Sequence, residues 1–262
     1  MKEMDDILAA SIFLAIFGAG LLLGFVGAGG SGFIISILTT AFGLPIHTAL
    51  GTALSAMIFS SVSGTISHYR EGNVALKTGL VVGVFGACGA WICSQVSVGI
   101  DGGALKYMTA AVLYLSSGML WLRMYMVSRR RKAAESREEG EEDARPVSWP
   151  KSGVIGLACG ALSGLFGVGA TPFIQISLMV ILGMKVSQAA GTTMLVIAPI
   201  AVAGGAGFYG TGNLDLKLLA VVLAAITAGS YIGAKFTKRL PEAVLKSAMV
   251  LTPMLGATLL LF

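Results

Sequence analysis

The hydrophobic positions of this chain fall into ten blocks divided by short polar or glycine-rich breaks. They cover residues 7–26, 32–42, 46–67, 78–98 and 105–127, then 153–166, 172–182, 186–208, 218–234 and 244–262. Blocks of this kind predict helices embedded in a bilayer. Two of them are short. At about 1.5 Å per residue, the blocks at 32–42 and 172–182 reach under about 20 Å, against a hydrocarbon core of about 30 Å. They are expected to be broken or re-entrant helices.

The pattern of breaks occurs twice. A shift of 140 residues pairs Gly24 with Gly164, Gly27 with Gly167, Gly29 with Gly169, Phe33 with Phe173, Gly43 with Gly183 and Ala49 with Ala189. The series continues through Gly51-Thr52 with Gly191-Thr192, Gly64 with Gly204, Tyr69 with Tyr209, Gly72-Asn73 with Gly212-Asn213, Lys77 with Lys217 and Gly89 with Gly229. Polar matches such as Asn73 with Asn213 do not follow from apolar composition alone. The chain therefore reads as a tandem duplication, with residues 1–127 as a first transmembrane repeat, 128–151 as a charged linker and 152–262 as a second repeat. The expected fold class is an all-α polytopic membrane protein with two inverted-topology repeats of about five membrane segments each. Many secondary transporters are built this way.

Composition fixes the solvent. Hydrophobic residues make up 55% of the 262 and charged residues 12%, with a mean hydropathy of +0.85, which excludes an ordinary soluble domain. Residues 123–151 hold 8 of the 18 Lys+Arg and 6 of the 13 Asp+Glu. The net charge of +5 thus reports topology, not a nucleic-acid surface. The basic residues Arg123, Arg129, Arg130, Arg131 and Lys132 place the linker in the cytoplasm. Five crossings per half then put Lys185 and the Lys235, Lys238, Arg239 cluster inside, and both termini outside. The first block is read as a retained membrane segment, since a basic n-region is lacking. A multi-pass protein of a bacterial plasma or inner membrane is expected. Cys88, Cys93 and Cys159 lie in apolar stretches without metal spacing, so neither metal nor cofactor is expected. The partners expected are the bilayer, a small anion and, as an option for assembly, a second copy in a homodimer.

The candidate chemistry lies at the starts of the two short blocks. Thr171 before Pro172 is a strong helix-start pair, with Thr171 as N-cap and Pro172 at the first helical position, and Ser31 can cap its own helix. Gly43 and Gly183 stand at the far ends as left-handed C-caps. A helix start inside the membrane carries unpaired N–H groups and a positive dipole end, which suit an anion, and glycines let it approach closely. Glycines in the same segments also serve plain helix packing. A third reading takes Gly29-Gly30-Ser31-Gly32 as the nucleophile motif of an intramembrane serine protease with His47 or His68 as base. Against it, the matching position holds Thr171 followed by Pro172.

The stretches "GFVGAGGSGFIISILTTAFGLPIHTALGTAL" and "GTISHYREGNVAL", with "GLFGVGATPFIQISLMVILGMKVSQAAGTTM" and "FYGTGNLDL" in the second half, resemble the TauE/SafE-type sulfite and organosulfonate exporters. The resemblance spans nearly the whole chain outside the linker. It implies a bacterial membrane permease, not an enzyme, that moves small sulfur-containing anions such as sulfite, sulfoacetate or other sulfonates. The residues fit that implication. Gly29, Gly30, Ser31, Gly32 and Thr52, with Gly169, Ala170, Thr171 and Thr192, are the expected substrate-binding set. Asn73, Asn213, Tyr69 and Tyr209 lie near segment ends, where a gating role stands beside simple Gly-Asn turn formation. His47 and His68 have Ser187 and Phe208 as counterparts, so they fall outside the symmetric set; proton coupling stands beside hydrogen bonding to backbone. With an inside-negative membrane, export of an anion is electrically downhill, so electrogenic efflux by alternating access is expected, with an anion channel as the alternative.

Overall fold

The computed structural model describes residues 6–26, 31–134, 149–237 and 242–262. Among these residues ten α-helices follow one another without a strand. They are α1 (Asp6–Val26), α2 (Ser31–Ser36), α3 (Ile46–Arg70), α4 (Leu76–Val98), α5 (Gly102–Ala134), α6 (Trp149–Phe166), α7 (Thr171–Val180), α8 (Val186–Gly210), α9 (Leu216–Thr237) and α10 (Glu242–Leu261), with α2 continued by a π-helical stretch over Ile37–Ala41. Each expected block has become one helix. Among the described residues, six segments are long and apolar enough to cross a bilayer: Asp6–Leu23, Ile46–Arg70, Leu76–Val98, Gly102–Val127, Val186–Gly210 and Leu216–Gly233. Ser31–Ala41 and Thr171–Val180 are short. The protein is a multi-pass membrane protein. The linker is helical at both edges, since α5 continues to Ala134 and α6 begins at Trp149; residues 135–148 lie outside the described ones.

The helix ends repeat along with the sequence. After α3, Gly72 has φ 72°, its N–H donates to Tyr69 O, and the N–H of Asn73 donates to His68 O at 2.9 Å. After α8, Gly212 has φ 75°, its N–H donates to Tyr209 O, and Asn213 N–H donates to Phe208 O at 2.8 Å. Both are Schellman turns, which satisfy the last carbonyls of a helix and reverse the chain. Gly43 and Gly183 stand at positive φ after the short helices, where left-handed caps are expected.

The two halves interlock. The most extensive helix pairings are α4 with α6 and α1 with α9, and a 140-residue shift turns one into the other. The match extends to single atoms. A Cβ on Gly89 would meet the Leu157 carbonyl and Ala161 N–H, and one on Gly229 would meet the Phe17 carbonyl and Leu21 N–H. Without these side chains the backbones touch, which is how helices associate where lipid removes the hydrophobic drive between them. The main buried apolar cluster likewise draws on both halves, among others Leu50, Leu54, Phe166, Val168 and Phe208.

Candidate functional site

Between α6 and α7 the chain turns inside the protein. Gly167 has φ 60°, and a Cβ there would meet the backbone of Leu50, so only glycine fits on both counts. Ala170 has φ 42° and ψ 20° and is the N-cap of α7. It is the one non-glycine residue at positive φ among the described residues, a conformation that costs an alanine about 1–2 kcal/mol. Backbone strain of this kind persists only where the surroundings enforce it, and it gathers at functional sites. The turn also corrects the expected cap. Helix α7 opens at Thr171, not at Pro172, with no side chain capping it. The left-handed Ala170 brings the chain into helix one residue early, so Thr171 lies inside the first turn. The N–H groups of Thr171 and Phe173 have no acceptor within the helix, and Pro172 has no N–H to offer.

Ser31, at the start of α2, faces this turn. The N–H of Gly169 donates to Ser31 Oγ over a long 3.5 Å, across 138 residues of sequence, with both residues buried. The matching helix starts of the two repeats thus meet. Helix α3 borders them, with Leu50 against Gly167 and Met57 against Gly169. Thr52, on the opposite face of α3 from Leu50 and Met57, is fully buried and its Oγ1 has no hydrogen-bond partner.

The remaining expected substrate residues separate. Gly29 and Gly30 lie outside the described residues. Gly32 packs against Leu113 of α5, and a Cβ on Gly256 would meet its backbone, so close packing accounts for it. Thr192 accepts the N–H of Ala75 at 3.0 Å; its oxygen ties α8 to the start of α4. Ser31, Gly169, Ala170 and Thr171 are brought together, whereas Thr52 lies on the far side of α3 and Thr192 is committed elsewhere.

Gln175 completes this region and was not singled out from sequence. It lies one turn after Thr171 on α7, is 3% exposed, and its Nε2 has no hydrogen-bond partner. An amide buried in this way costs about 1–3 kcal/mol. Its counterpart in the first repeat is Ile35, fully buried in the apolar core. A polar residue standing where the other repeat keeps isoleucine was the available signal.

The gating candidates sit at helix ends. Asn73 and Asn213 form the Schellman turns, and their carbonyls lie over Gly191 and Gly51 of the other half. Tyr69 and Tyr209 are more than half exposed. His47 Nε2 lies 3.2 Å from the carbonyls of Ser97 and Ile100, a clip between α3 and the α4–α5 turn. His68 Nδ1 is 3.6 Å from a Glu71 carboxylate oxygen. Neither histidine bonds Ser31, so the dyad a serine protease needs is not assembled.

Comparison with known proteins decides the family. The profile described as sulfite exporter TauE/SafE matches residues 12–260. The chain belongs to the TauE/SafE family. Among curated relatives, the probable membrane transporter protein YdhB of Bacillus subtilis (strain 168) is 45% identical over 251 residues, covering 96% of this chain and 99% of its own. The probable membrane transporter protein ORF9 of Sinorhizobium sp is 25% identical over 257 residues, covering 97% of this chain and 90% of its own. No solved structure matches. This member of the TauE/SafE family is a membrane transporter.

Proposed function

We propose that this TauE/SafE transporter exports small sulfur-containing anions, sulfite or a sulfonate such as sulfoacetate, by alternating access, with the anion held between the starts of α2 and α7. The observation that carries this reading is the buried contact between Gly169 N–H and Ser31 Oγ beside a helix start that no side chain caps. A sulfonate or sulfite presents three oxygen acceptors around one sulfur. The N–H groups of Gly169, Thr171 and Phe173 and the hydroxyl of Ser31 are donors of the matching kind. An anion oxygen would replace the long Ser31 contact with a charge-assisted one, which is shorter and stronger.

Dipoles and neutral donors suffice here for binding, because a helix N-terminus stabilises negative charge best where water is scarce. They also leave the complex with the charge of its cargo. Each negative charge leaving an inside-negative cell then gains about 2.3 kcal/mol per 100 mV. In this reading the halves are inverted, the linker is cytoplasmic and both termini lie outside. The test is sulfite efflux from proteoliposomes holding a potassium diffusion potential. Saturable flux that grows with the potential is expected. Flux indifferent to the potential but driven by a pH gradient would overturn electrogenic export and favour coupling through His47, His68 or Glu71, while single-channel currents would overturn the carrier.

A further inference from the structure

Gln175 is a polar side chain buried on α7. Its amide nitrogen has no hydrogen-bond partner, only 3% of the residue is exposed, and the equivalent position in the other repeat is the fully buried Ile35. Its place on α7 gives it a direction. Gln175 follows Thr171 by four residues, so the two share one face of the helix, and helical side chains tilt toward the N-terminus of their own helix. The long amide therefore runs back along that face toward the uncapped first turn and the strained Ala170. Two independent features converge on one place: backbone N–H groups without intrahelical acceptors, and a buried side-chain donor without a partner.

We infer that Gln175 is a substrate-binding, specificity-determining residue, whose Nε2–H donates to an oxygen of the oxyanion held at the start of α7. This rests on the anion site proposed above and adds a side chain to it. A neutral amide suits the position. It adds a directed donor that a multi-oxygen anion can use without cancelling the charge, as a lysine or arginine would. It also makes the site unequal, since the corresponding helix start in the first repeat faces Ile35. The oxyanion is thereby drawn to the α7 side of the shared space, and Gln175 fixes which end of an asymmetric sulfonate points there.

The test uses the full-length protein and two variants. Gln175→Met keeps the length and flexibility of the side chain and removes the donor; Gln175→Glu puts an acceptor and a negative charge in its place. Thermal stability is read without added anion and with sulfite, sulfoacetate or chloride. Wild type is expected to be stabilised by sulfite or sulfoacetate over chloride, since a ligand that binds the native state raises its apparent stability. Gln175→Met should melt no lower than wild type without anion, because an unpaired buried donor has been removed. Its affinity for the anion should fall roughly ten- to hundredfold, the worth of a hydrogen bond to a charged group. Gln175→Glu should abolish the response. If Gln175→Met melts well below wild type yet keeps its affinity, Gln175 is a structural residue and the inference is overturned. A wild type that responds to neither anion removes the proposed anion site itself, and the role of Gln175 with it. A wild-type response matched by both variants removes only the role of Gln175.

Discussion

The α4–α8 and α3–α9 junctions correspond under the 140-residue shift, yet one is closed and the other is open. On α4 the residues facing α8 are Gly79, Gly83 and Gly86, where an added Cβ would stand 2.6 Å from Leu195, 2.8 Å from Pro199 and 2.7 Å from Ile200. On α9 the same positions hold Leu219, Leu223 and Ile226. Glycine lets two backbones approach, while aliphatic side chains hold them apart. An apolar groove of about 600 Å³ accordingly opens beside Phe59 of α3 and Leu223 of α9. The hydroxyls divide in the same way. Thr192 at the closed junction accepts the Ala75 N–H, while the oxygen of Thr52 at the open one has no partner. Asp215, the counterpart of Ala75, uses its own carboxylate to accept the N–H groups of Lys217 and Leu218. The repeat thus supplies a fixed junction and a looser one.

The strongest way to break this contrast is to give α4 a residue of α9. Gly83→Leu drives a side chain into Pro199 and the backbone of Val196. Overpacking of this sort costs about 1–3 kcal/mol or more. A clear fall in melting temperature in detergent is expected, with transport lost in proportion to folded protein. A wild-type melting temperature would mean that glycine is not what closes this junction.

The pair of threonines gives a smaller, finer contrast. Thr192→Val keeps the shape and leaves the Ala75 N–H without its acceptor, for an expected loss of about 1–2 kcal/mol, read from denaturation in detergent. Thr52→Val removes no hydrogen bond, so its stability should match wild type to within about 0.5 kcal/mol. Equal losses in the two variants would show that the junctions are alike in what matters.

Much of this was legible in the chain because membrane helices are blunt signals. The apolar block at 172–182 became Thr171–Val180, the Gly-Asn pairs became helix-ending turns, and the 140-residue shift predicted which glycines would occupy matching contacts. What escaped depended on single dihedral angles or on facing partners. The left-handed Ala170 moved the cap off Thr171, and no propensity of alanine announces such a turn. Thr192 and Thr52 look equivalent in sequence, and only the neighbouring helix separates a hydroxyl with a task from one without. The glycines of α4 and the aliphatic residues of α9 were visible, but their meaning required knowing which helix each one faces. Gln175 was visible as well, as a polar letter in an apolar word.

The proposed anion site can be tested directly by calorimetric titration of the purified protein with sulfite, with wild type and Ser31→Ala side by side and chloride as the control. Saturable binding of sulfite by wild type is expected, weakened roughly tenfold or more in Ser31→Ala, as for a lost hydrogen bond to a charged ligand. Sulfite binding of equal affinity in the two proteins would contradict the role given to Ser31 at the paired helix starts.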